Sequence, residues 1–436
     1  MNNNKPVTAV IVGGGHRSFT YAQLAIDCPD MLKIVGIADP NPDRRKKAME
    51  TFGFGEDGCF ETAQQLADVP RFADAIINGT MDHQHVETSV PLLAKGYDML
   101  LEKPFAVNKA EMQTLLDTVR KYKNKVMICH VLRYSPFYRT VKEMIRTGKI
   151  GDIINIQTAE HVSYHHLSTS YVRGKWGNSD YCKTSMLLAK CCHDIDILMW
   201  LMDGHKPTNV NSYGSIFQFK PENAPADSGT RCLVDCPRVD YCDFSAKRIY
   251  LDHPRRWAMY VWDALEGLDH EPTMEDKIEL LKGDSPYGKC IFKSGNNVVD
   301  HQSVLFRFDN GATATHNMIG GTARSTRTIH VIGTKGEIYG DFESSTLHLQ
   351  TIMTDSPTGF AYEEVEIGTF SEDSHGGGDI RLIKDFVNYV RDGVQSVECT
   401  AIENSVAGHL AVFLADESMA ANGQTQDFDF SQYCTE

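Results

Sequence analysis

The sequence lacks any apolar run of about 18 residues, the length that a membrane-spanning helix needs. It also lacks a net positive charge, because it has 43 Lys and Arg and 58 Asp and Glu, which give a formal net charge of −15. An acidic chain has no general attraction for the phosphate backbone, so we expect neither a membrane nor a nucleic acid as a partner. The first residues lack the charged-then-apolar order of a signal peptide, which favours the cytoplasm.

The cysteine pattern is not that of a small protein held together by disulfides. The 12 cysteines are scattered over 436 residues, and a chain of this length can build adequate hydrophobic cores. We therefore expect free thiols in a reducing compartment. Hydrophobic residues at 42% and charged residues at 23% are typical of a soluble globular enzyme, and the length favours two domains.

Three glycines separate the first predicted strand from the first predicted helix. The β-branched run 8–12 ends at Gly13, and apolar residues recur at helical spacing from Phe19 onward. Such glycines let the backbone approach a pyrophosphate, and the helix start presents free N–H groups to it. The match to G-x-G-x-x-G is partial because Ser18 takes the place of the third glycine, and a tight turn without a ligand would give the same pattern. From this loop we assign to the cofactor Gly13, Gly15, His16 and Arg17.

A second buried-type strand, 33–39, ends in an acidic residue. Asp39 follows Gly15 at about the 20-residue spacing at which a carboxylate binds the ribose hydroxyls of a dinucleotide. A carboxylate there repels a 2′-phosphate, so we predict NAD rather than NADP, although Arg44 and Arg45 lie just beyond. The alternative role for Asp39 is to cap the following turn.

Strand and helix patterns keep alternating up to residue 126. A strand over 73–80 ends at Thr80, a helix starts near His85, and the next strand runs into 102–104, which reads Glu-Lys-Pro. The alternation predicts an α/β Rossmann domain over 1–126, with a doubly wound parallel sheet and ligands at the carboxyl ends of its strands.

The residues at 102–104 suit redox chemistry on an alcohol. Hydride leaves an alcohol carbon only as the hydroxyl proton departs, so the site needs a base and a cation near the developing alkoxide. The ammonium of Lys103, in a partly dry pocket, would supply the cation. A surface Glu-Lys pair before a turn proline is the alternative.

In this context Glu-Lys-Pro resembles the Gfo/Idh/MocA (glucose–fructose oxidoreductase/inositol dehydrogenase) family, and later segments extend the resemblance over essentially the whole chain. The resemblance implies that Lys103 bridges the nicotinamide ribose and the substrate hydroxyl, and that a cis peptide precedes Pro104. It also implies a nicotinamide cofactor contacted by Thr80, His85 and Glu102.

Beyond residue 126 the strand and helix pattern changes. Strands begin at 153 and return from about 303, and they are typical of an open sheet. We predict a second, α+β domain over 127–436 for substrate binding and oligomerisation, with a large, mainly antiparallel sheet that has one face on the nucleotide domain. The other face of such a sheet often forms an oligomer interface, so we expect a homodimer or homotetramer.

Four titratable residues interrupt an otherwise apolar helix predicted over 186–201. They are Lys190, His193, Asp194 and Asp196, and burying such groups without partners is costly. His193 has the side chain among them that titrates naturally near neutrality. An exposed Lys190–Asp194 pair or a capped core histidine is the alternative.

The family resemblance implies that this helix carries the catalytic histidine, and His193, Asp194 and Asp196 match the expected order. Many relatives place an aspartate four residues before that histidine, where this chain has Ala189. We therefore predict His193 as the proton shuttle. Lys190 is a candidate second cation that acts on the substrate or lowers the pKa of His193.

Aromatic residues mixed with Arg and His over 160–177 suit a sugar, which is bound by stacking and hydrogen bonds. An exposed loop with a few anchored rings would show the same composition. The resemblance also places substrate-facing residues where the chain crosses between domains, near residue 133. Our predicted substrate contacts are Arg133, Tyr164, His165, Tyr171, Arg173, Trp176 and Asp194.

Residues 221–285 look like an insertion in the second domain. Cys232, Cys236 and Cys242 follow a C-x3-C-x5-C spacing that could hold zinc, but no fourth ligand is evident. We favour free or packed thiols there over a metal site, and we predict no catalytic metal. The aromatic run 250–262, which includes Trp257, suggests that the insertion covers a pocket.

The predicted function is NAD-dependent hydride transfer at a hydroxyl of a sugar, glycoside or cyclitol. Some relatives in the family oxidise a sugar transiently, cleave a glycosidic bond and return the hydride, and this redox-neutral activity is the first alternative. Others are non-catalytic nucleotide-binding regulators. Retention of both Lys103 and His193 argues against a regulator, which would not need them.

Overall fold

The computed structural model describes residues 5–253, 258–368 and 374–433. Its N-terminal part is built on a six-stranded parallel sheet with the order β3-β2-β1-β4-β5-β6. The strands are almost continuously apolar because helices cover both faces of the sheet. Their bounds are Val7–Val12 (β1), Leu32–Ala38 (β2), Cys59–Phe60 (β3), Ala75–Asn78 (β4), Asp98–Leu101 (β5) and Val126–Ile128 (β6).

The strand order reverses between β1 and β4, which is where ligands bind in doubly wound sheets. The glycine loop follows β1, and Thr80 follows β4, so both lie at this switch point. The predicted parallel Rossmann sheet is therefore confirmed.

Helices connect the strands of both sheets. Three further segments are π-helical, namely Leu167–Arg173, Leu187–Cys191 and Lys247–Asp252. The α-helices are His16–Ala22 (α1), Leu24–Asp27 (α2), Pro42–Phe52 (α3), Ala63–Asp68 (α4), His85–Ala94 (α5), Lys109–Tyr122 (α6), Pro136–Arg146 (α7), Tyr164–His166 (α8), Ser179–Cys182 (α9), Cys192–Leu201 (α10), Met274–Lys282 (α11), Gly378–Asp392 (α12) and Ile402–Ala420 (α13).

The second sheet has nine strands and is mainly antiparallel, as predicted. Its order is β14-β13-β12-β11-β7-β10-β9-β8-β15, and β7 and β10 form its one parallel pair. The strands are Ile153–Ser163 (β7), Pro207–Ser215 (β8), His301–Phe308 (β9), Thr313–Thr322 (β10), Thr326–Gly333 (β11), Gly336–Asp341 (β12), Thr346–Ile352 (β13), Phe360–Glu364 (β14) and Gln426–Asp427 (β15).

Burial alternates along this sheet, which leaves one face covered and the other open. In β9, Val304 and Phe306 are buried whereas Leu305 between them is exposed. Helix α13 packs against β8 and against α10, so α10 lies over the covered side.

The end of the chain returns to the nucleotide domain. Helix α12 places Leu382, Ile383 and Phe386 in the same core as Ile11 of β1 and Leu100 of β5. The predicted boundary at 126/127 stays a prediction, but the two parts are joined through this helix.

The chain between β8 and β9, which we call the insertion, has a small core of its own that includes Ile249, Tyr250 and Leu281. Trp257 lies outside the described residues. In the described part of the chain, no helix is long and apolar enough to cross a membrane.

Candidate active site

The glycine loop after β1 leaves open space in front of α1. Gly13 has φ +79°, and a Cβ there would lie 2.8 Å from the Thr80 nitrogen, so the two loops approach as only glycine allows. A Cβ on Gly15 would meet no atom within 4 Å. The Ser18 hydroxyl, at the position of the missing third glycine, donates to the Gly13 carbonyl at 2.6 Å and fixes the loop. The loop can therefore cradle a pyrophosphate.

Asp39 lies directly beside this loop at the end of β2. One of its carboxylate oxygens accepts from the Gly14 N–H at 2.6 Å, and the other accepts from the Asn41 N–H at 2.8 Å. A carboxylate has about four lone-pair sites, so both oxygens can still accept ribose hydroxyls. Arg45 donates to the Asp39 carbonyl at 2.6 Å, and Arg44 donates to the insertion carboxylate of Glu266.

Lys103 follows β5 at the carboxyl edge of the parallel sheet, where a doubly wound sheet has its ligand-binding crevice. The peptide between Lys103 and Pro104 is cis, as the resemblance implied. The Lys103 ammonium donates to the Ala189 carbonyl at 2.8 Å, within the π-helical turn Leu187–Cys191. A backbone oxygen thus holds the lysine at the position where many relatives are expected to carry a carboxylate.

The surroundings of Lys103 keep it charged. Burial lowers the pKa of Lys103, but nearby Cys192, Glu102 and Asp82 raise it by more, so the net pKa lies above its usual value. Burial also raises the pKa of Cys192 to about 12. That thiol is therefore neutral at neutral pH, and the two carboxylates favour the ammonium.

Glu102 connects Lys103 to the first turn of α1, which follows the glycine loop. Its buried carboxylate accepts from Arg17 and from the Tyr21 hydroxyl, each at 2.8 Å, and from the Lys103 N–H at 2.9 Å. Burial raises the pKa of Glu102, but Arg17 and Lys103 lower it by more, so it stays ionised. Arg17 also pairs with Asp379 at 2.5 Å, which ties α12 to the same loop.

Three histidines from distant parts of the chain gather near Lys103, and we call Lys103, His130, His193 and His375 the Lys–His cluster. The His193 ring centroid lies 5.8 Å from that of His130 and 5.7 Å from that of His375. His193 Nδ1 and both His130 nitrogens have no hydrogen-bond partner among the described residues. Buried polar atoms in a native structure are normally paired, so these nitrogens are candidates to bind a ligand.

The histidines of the Lys–His cluster are neutral. Burial lowers the pKa of His193 well below its usual value, and Lys103 lowers it further. Burial likewise lowers the pKa of His130 to about 4. At neutral pH His193 can therefore accept a proton next to a permanent cation.

The sequence interpretation missed His130 and His375. His130 follows β6 at the carboxyl edge of the sheet, which is the signal that could have found it. His375 has φ +59°, and its Nδ1 lies 3.1 Å from Asp379. Gly377 holds the N-cap position of α12, and Asp379 pairs with Arg17.

A second group of buried charges lies next to the cluster, and we call Glu160, Lys190, Asp194 and Arg327 the charge network. Lys190 pairs with Glu160 at 2.9 Å, and Arg327 pairs with Glu160 at 2.7 Å and with Asp194 at 2.9 Å. Arg327 on β11 is the register partner of Glu160 on β7. Lys190, the candidate second cation, and Asp194, a predicted substrate contact, are therefore engaged by the protein itself.

Two predicted substrate residues also have protein partners. The Arg133 guanidinium binds Asp196 through two bonds, of 2.7 and 2.6 Å. Arg173 donates to the carbonyls of Lys289 and Phe244 in the insertion, at 2.8 and 2.7 Å. The same Asp196 carboxylate lies 3.8 Å from His130 Nε2, so Arg133 borders the Lys–His cluster through Asp196, whereas Arg173 is held by the insertion.

The aromatic residues lie close to Asp82 and Lys103. Trp176 Nε1 donates at 2.8 Å to Asp82, a carboxylate that acts on the pKa of Lys103. The Trp176 ring packs against Tyr171 at 6.0 Å and against Tyr260 of the insertion at 6.0 Å. Tyr164 and His165 pack edge-on farther along the same segment, at 5.1 Å.

Two family models together match most of the chain. The model described as the oxidoreductase family, NAD-binding Rossmann fold, covers residues 7–130. The model described as the oxidoreductase family, C-terminal alpha/beta domain, covers residues 142–404. Both models are those of the Gfo/Idh/MocA group.

Individual relatives are distant. The chain is 26% identical over 383 residues to YteT of Bacillus subtilis (strain 168), whose name describes it as an oxidoreductase only, and the match covers 81% of each protein. It is 25% identical over 174 residues to inositol 2-dehydrogenase of Azotobacter vinelandii, which is 40% of this chain and 47% of that one. The solved structure of levoglucosan dehydrogenase with NADH superposes with a TM-score of 0.69 at 17% identity, covering 98% of this chain and 100% of the other.

Proposed function

The chain belongs to the Gfo/Idh/MocA family of oxidoreductases, and from this membership we propose that it transfers a hydride between NAD and a carbinol carbon of a sugar, glycoside or cyclitol. The observation that carries the proposal is a half-buried ammonium, Lys103, near a neutral histidine, His193, whose Nδ1 has no hydrogen-bond partner in the described part of the chain. A cation stabilises a developing alkoxide and a neutral imidazole accepts its proton, which together are what alcohol oxidation requires.

The residues at the switch point fit a nicotinamide dinucleotide. The open space at Gly15 suits the pyrophosphate and the Asp39 carboxylate suits the ribose hydroxyls. The cofactor, when bound, supplies or accepts the hydride. His85 supports the nicotinamide end, because its ring lies between the carbonyls of Thr80 and Pro104, 3.0 and 2.7 Å from the two ring nitrogens.

We propose NAD rather than NADP as the cofactor. A 2′-phosphate would face the Asp39 carboxylate. The two arginines beyond it are engaged elsewhere, Arg44 with Glu266 and Arg45 with the Asp39 carbonyl. A charge-assisted pair with a phosphate would require both to change partners.

The proposed mechanism assigns one task to each of two residues. The Lys103 ammonium donates to the substrate hydroxyl oxygen and stabilises negative charge as it develops. His193 accepts the hydroxyl proton while the hydride leaves the same carbon, and in the reverse direction it returns that proton. The Ala189 carbonyl and Glu102 hold the lysine in place.

A polyhydroxylated substrate suits the aromatic side of the cleft. Trp176 and Tyr171 offer apolar faces, and Asp82 and His165 add hydrogen-bonding groups around them. Sugar and cyclitol rings present alternating apolar and hydroxyl edges that such a surface can bind. The names of inositol 2-dehydrogenase and levoglucosan dehydrogenase, both relatives in fold or sequence, agree with this class.

The test is a panel of sugars, glycosides and cyclitols incubated with the protein and NAD, followed by the absorbance of reduced nicotinamide. We expect reduction with at least one member of the panel and a weaker response with NADP. No reduction by any member, with NAD shown to bind, would contradict the proposal.

A second candidate is glycoside cleavage with no net redox change. The observation that favours it is the position of the insertion across the cleft. Glu266 pairs with Arg44 at the adenosine side, and Tyr260 packs on Trp176 near Lys103. Contacts at both ends would slow cofactor release, as a hydride-returning cycle requires. NAD that copurifies with the protein, together with cleaved glycoside and no free NADH, would support this candidate over the first.

We also propose that the protein is a homodimer or homotetramer. The open face of the nine-stranded sheet exposes Tyr213, Leu305 and Ile319 on neighbouring strands. Exposed apolar side chains that share a sheet face are typical of interfaces. Light scattering should give a multiple of the 48.8 kDa chain mass, and a monomer would contradict the proposal.

A further inference from the structure

We propose that the insertion between β8 and β9 holds a structural zinc ion on four thiolates, those of Cys232, Cys236, Cys242 and Cys290. The sequence spacing offers the first three, and the fold adds Cys290 from beyond α11. All four cysteines line one cavity of about 20 Å³, room for a single water-sized particle. Four cysteines around one small cavity are a ligand set of structural zinc.

The backbone places Cys232 and Cys290 diagonally across a short antiparallel ladder. Residues 230–232 run antiparallel to 288–290, with Arg231 opposite Lys289. The Cys232 N–H donates to the Gly288 carbonyl at 2.9 Å and the Cys290 N–H donates to the Thr230 carbonyl at 2.8 Å. Cys232 follows Arg231 and Cys290 follows Lys289, the two residues of the central pair. Because side chains alternate between the two faces of a ladder, both cysteine side chains lie on the same face.

Arg173 supplies an independent reason for negative charge in the cavity. It lines the cavity and is 3% exposed, and its guanidinium lies 3.6 Å from the Cys232 sulfur. Its other partners are carbonyls and the Tyr250 hydroxyl, and no carboxylate among the described residues pairs with it. An unpaired buried cation is costly. Zinc with four thiolates carries two negative charges, which would balance the guanidinium.

Two hydrogen bonds to cysteine sulfur atoms resemble those that metal-bound thiolates accept. The Phe244 N–H donates to the Cys242 sulfur, and Arg173 donates toward the Cys232 sulfur. Donors of this kind orient ligands and stabilise their charge. Residues 224–245 contain turns and one isolated bridge, and no helix, so the segment has little regular structure to stabilise it. A long irregular loop with a small core commonly needs such a cross-link.

One other group of potential ligands competes for a metal. Cys191, Asp194 and His316 bring ligand atoms within 4.8 Å of one another, whereas no three of the insertion's sulfur atoms lie so close among the described residues. Zinc binding in the insertion therefore requires the thiols to rotate toward the cavity centre. At the competing group, Arg327 already pairs with Asp194, and this cation opposes a metal ion.

The experiment measures zinc in the full-length protein, purified without a metal-binding tag, by inductively coupled plasma mass spectrometry. We expect about one zinc per chain in the wild type and near none in Cys290→Ser and Cys236→Ser. Two matched controls, Cys59→Ser in the nucleotide domain and Cys191→Ser at the competing group, should keep the zinc. Adding a chelator at raised temperature should lower the wild-type Tm without changing that of an already zinc-free variant.

Three results would overturn the proposal. The first is wild-type protein without zinc, with an intact mass that shows either free thiols or two disulfides. The second is zinc that is lost in Cys191→Ser and kept in Cys290→Ser. The third applies where Cys290→Ser does not fold, and it is measured on wild-type protein refolded with Co²⁺. We expect the intense visible bands of tetrahedral thiolate coordination. Their absence would exclude the four-cysteine site.

Discussion

The Lys–His cluster and the charge network both border the segment 187–201, yet they differ in whether their buried polar groups are paired. In the charge network, Glu160 pairs with Lys190 and with Arg327, and Arg327 also pairs with Asp194. In the Lys–His cluster, a permanent cation lies beside neutral rings, and His193 Nδ1 and both His130 nitrogens have no hydrogen-bond partner within the described ranges. Matched charges hold a structure together, whereas unmatched polar atoms are available to a substrate.

The comparison predicts that substitutions in the Lys–His cluster reduce activity and leave folding intact. Substitutions in the charge network should instead reduce the stability of the fold and have less effect on activity. Each of the following experiments therefore measures both turnover and the free energy of unfolding. They run from the largest expected effect to the smallest.

Lys103→Met should have the largest effect. Losing the cation beside the developing alkoxide should lower kcat by about 10⁴-fold, the upper end for electrostatic and proton-transfer groups. Steady-state kinetics on the best substrate of the panel measures this. The exposed Lys149→Met is the matched control and should keep wild-type kinetics. Equal loss in both variants would show that the effect does not come from the site.

His193→Asn should lower kcat by about 10³-fold, with a Tm close to that of the wild type. The wild-type pH profile carries a second expectation. Burial and Lys103 lower the pKa of His193 well below the usual value of about 6.5. His193 is therefore still neutral at pH 6.5, and kcat/KM for oxidation should stay level down to about that pH. His205→Asn, at an exposed position, should change neither quantity. An acid limb that lies above pH 6.5, or one that survives in His193→Asn, would remove His193 from the proton transfer.

Arg327→Met tests the charge network. Removing this guanidinium leaves Asp194 buried without its partner, so the free energy of unfolding should fall by about 3 kcal/mol. Urea denaturation measures the loss. Adding Asp194→Asn to Arg327→Met should recover part of it, because the unpaired charge is removed. A fully stable Arg327→Met protein with lost activity would reverse the assignment of the two groups.

Acid should destabilise the protein through its buried neutral histidines. Burial lowers the pKa of His130 and of His316 to about 4, so the unfolded chain binds protons more readily than the folded one below pH 6.5. Above that pH these groups have no effect. Between pH 6.5 and 5.5 each should reduce the free energy of unfolding by about 1 kcal/mol.

Urea denaturation at pH 7.5, 6.5 and 5.5 follows this loss. His316→Asn should show a shallower decline than the wild type, since one of the groups is missing. A decline of unchanged steepness in that variant would show that His316 is not among the groups that take up protons.

The nucleotide domain could be predicted from sequence because its signals are local. Alternating strands and helices, the glycines at 13–15 and Glu-Lys-Pro at 102–104 are each contained within a few residues. The structure confirms the parallel sheet and the cis peptide before Pro104.

The partners of the site could not be predicted in the same way. Lys190 has Glu160 as its partner, and this pairing depends on where β7 runs relative to helix α10. His375 reaches His193 only because α12 folds back onto the nucleotide domain. Such contacts depend on strand register and on long-range packing, which a single sequence does not display.

The most direct test of the central claim follows the hydride itself. Sugars and cyclitols deuterated at their carbinol carbons are incubated with the protein and NAD, and the cofactor is analysed by mass spectrometry. We predict one deuterium in the nicotinamide ring with the wild type, and little or none over the same time with Lys103→Met or His193→Asn. Substrate conversion without deuterium in the cofactor, or equal transfer in the two variants, would contradict the account.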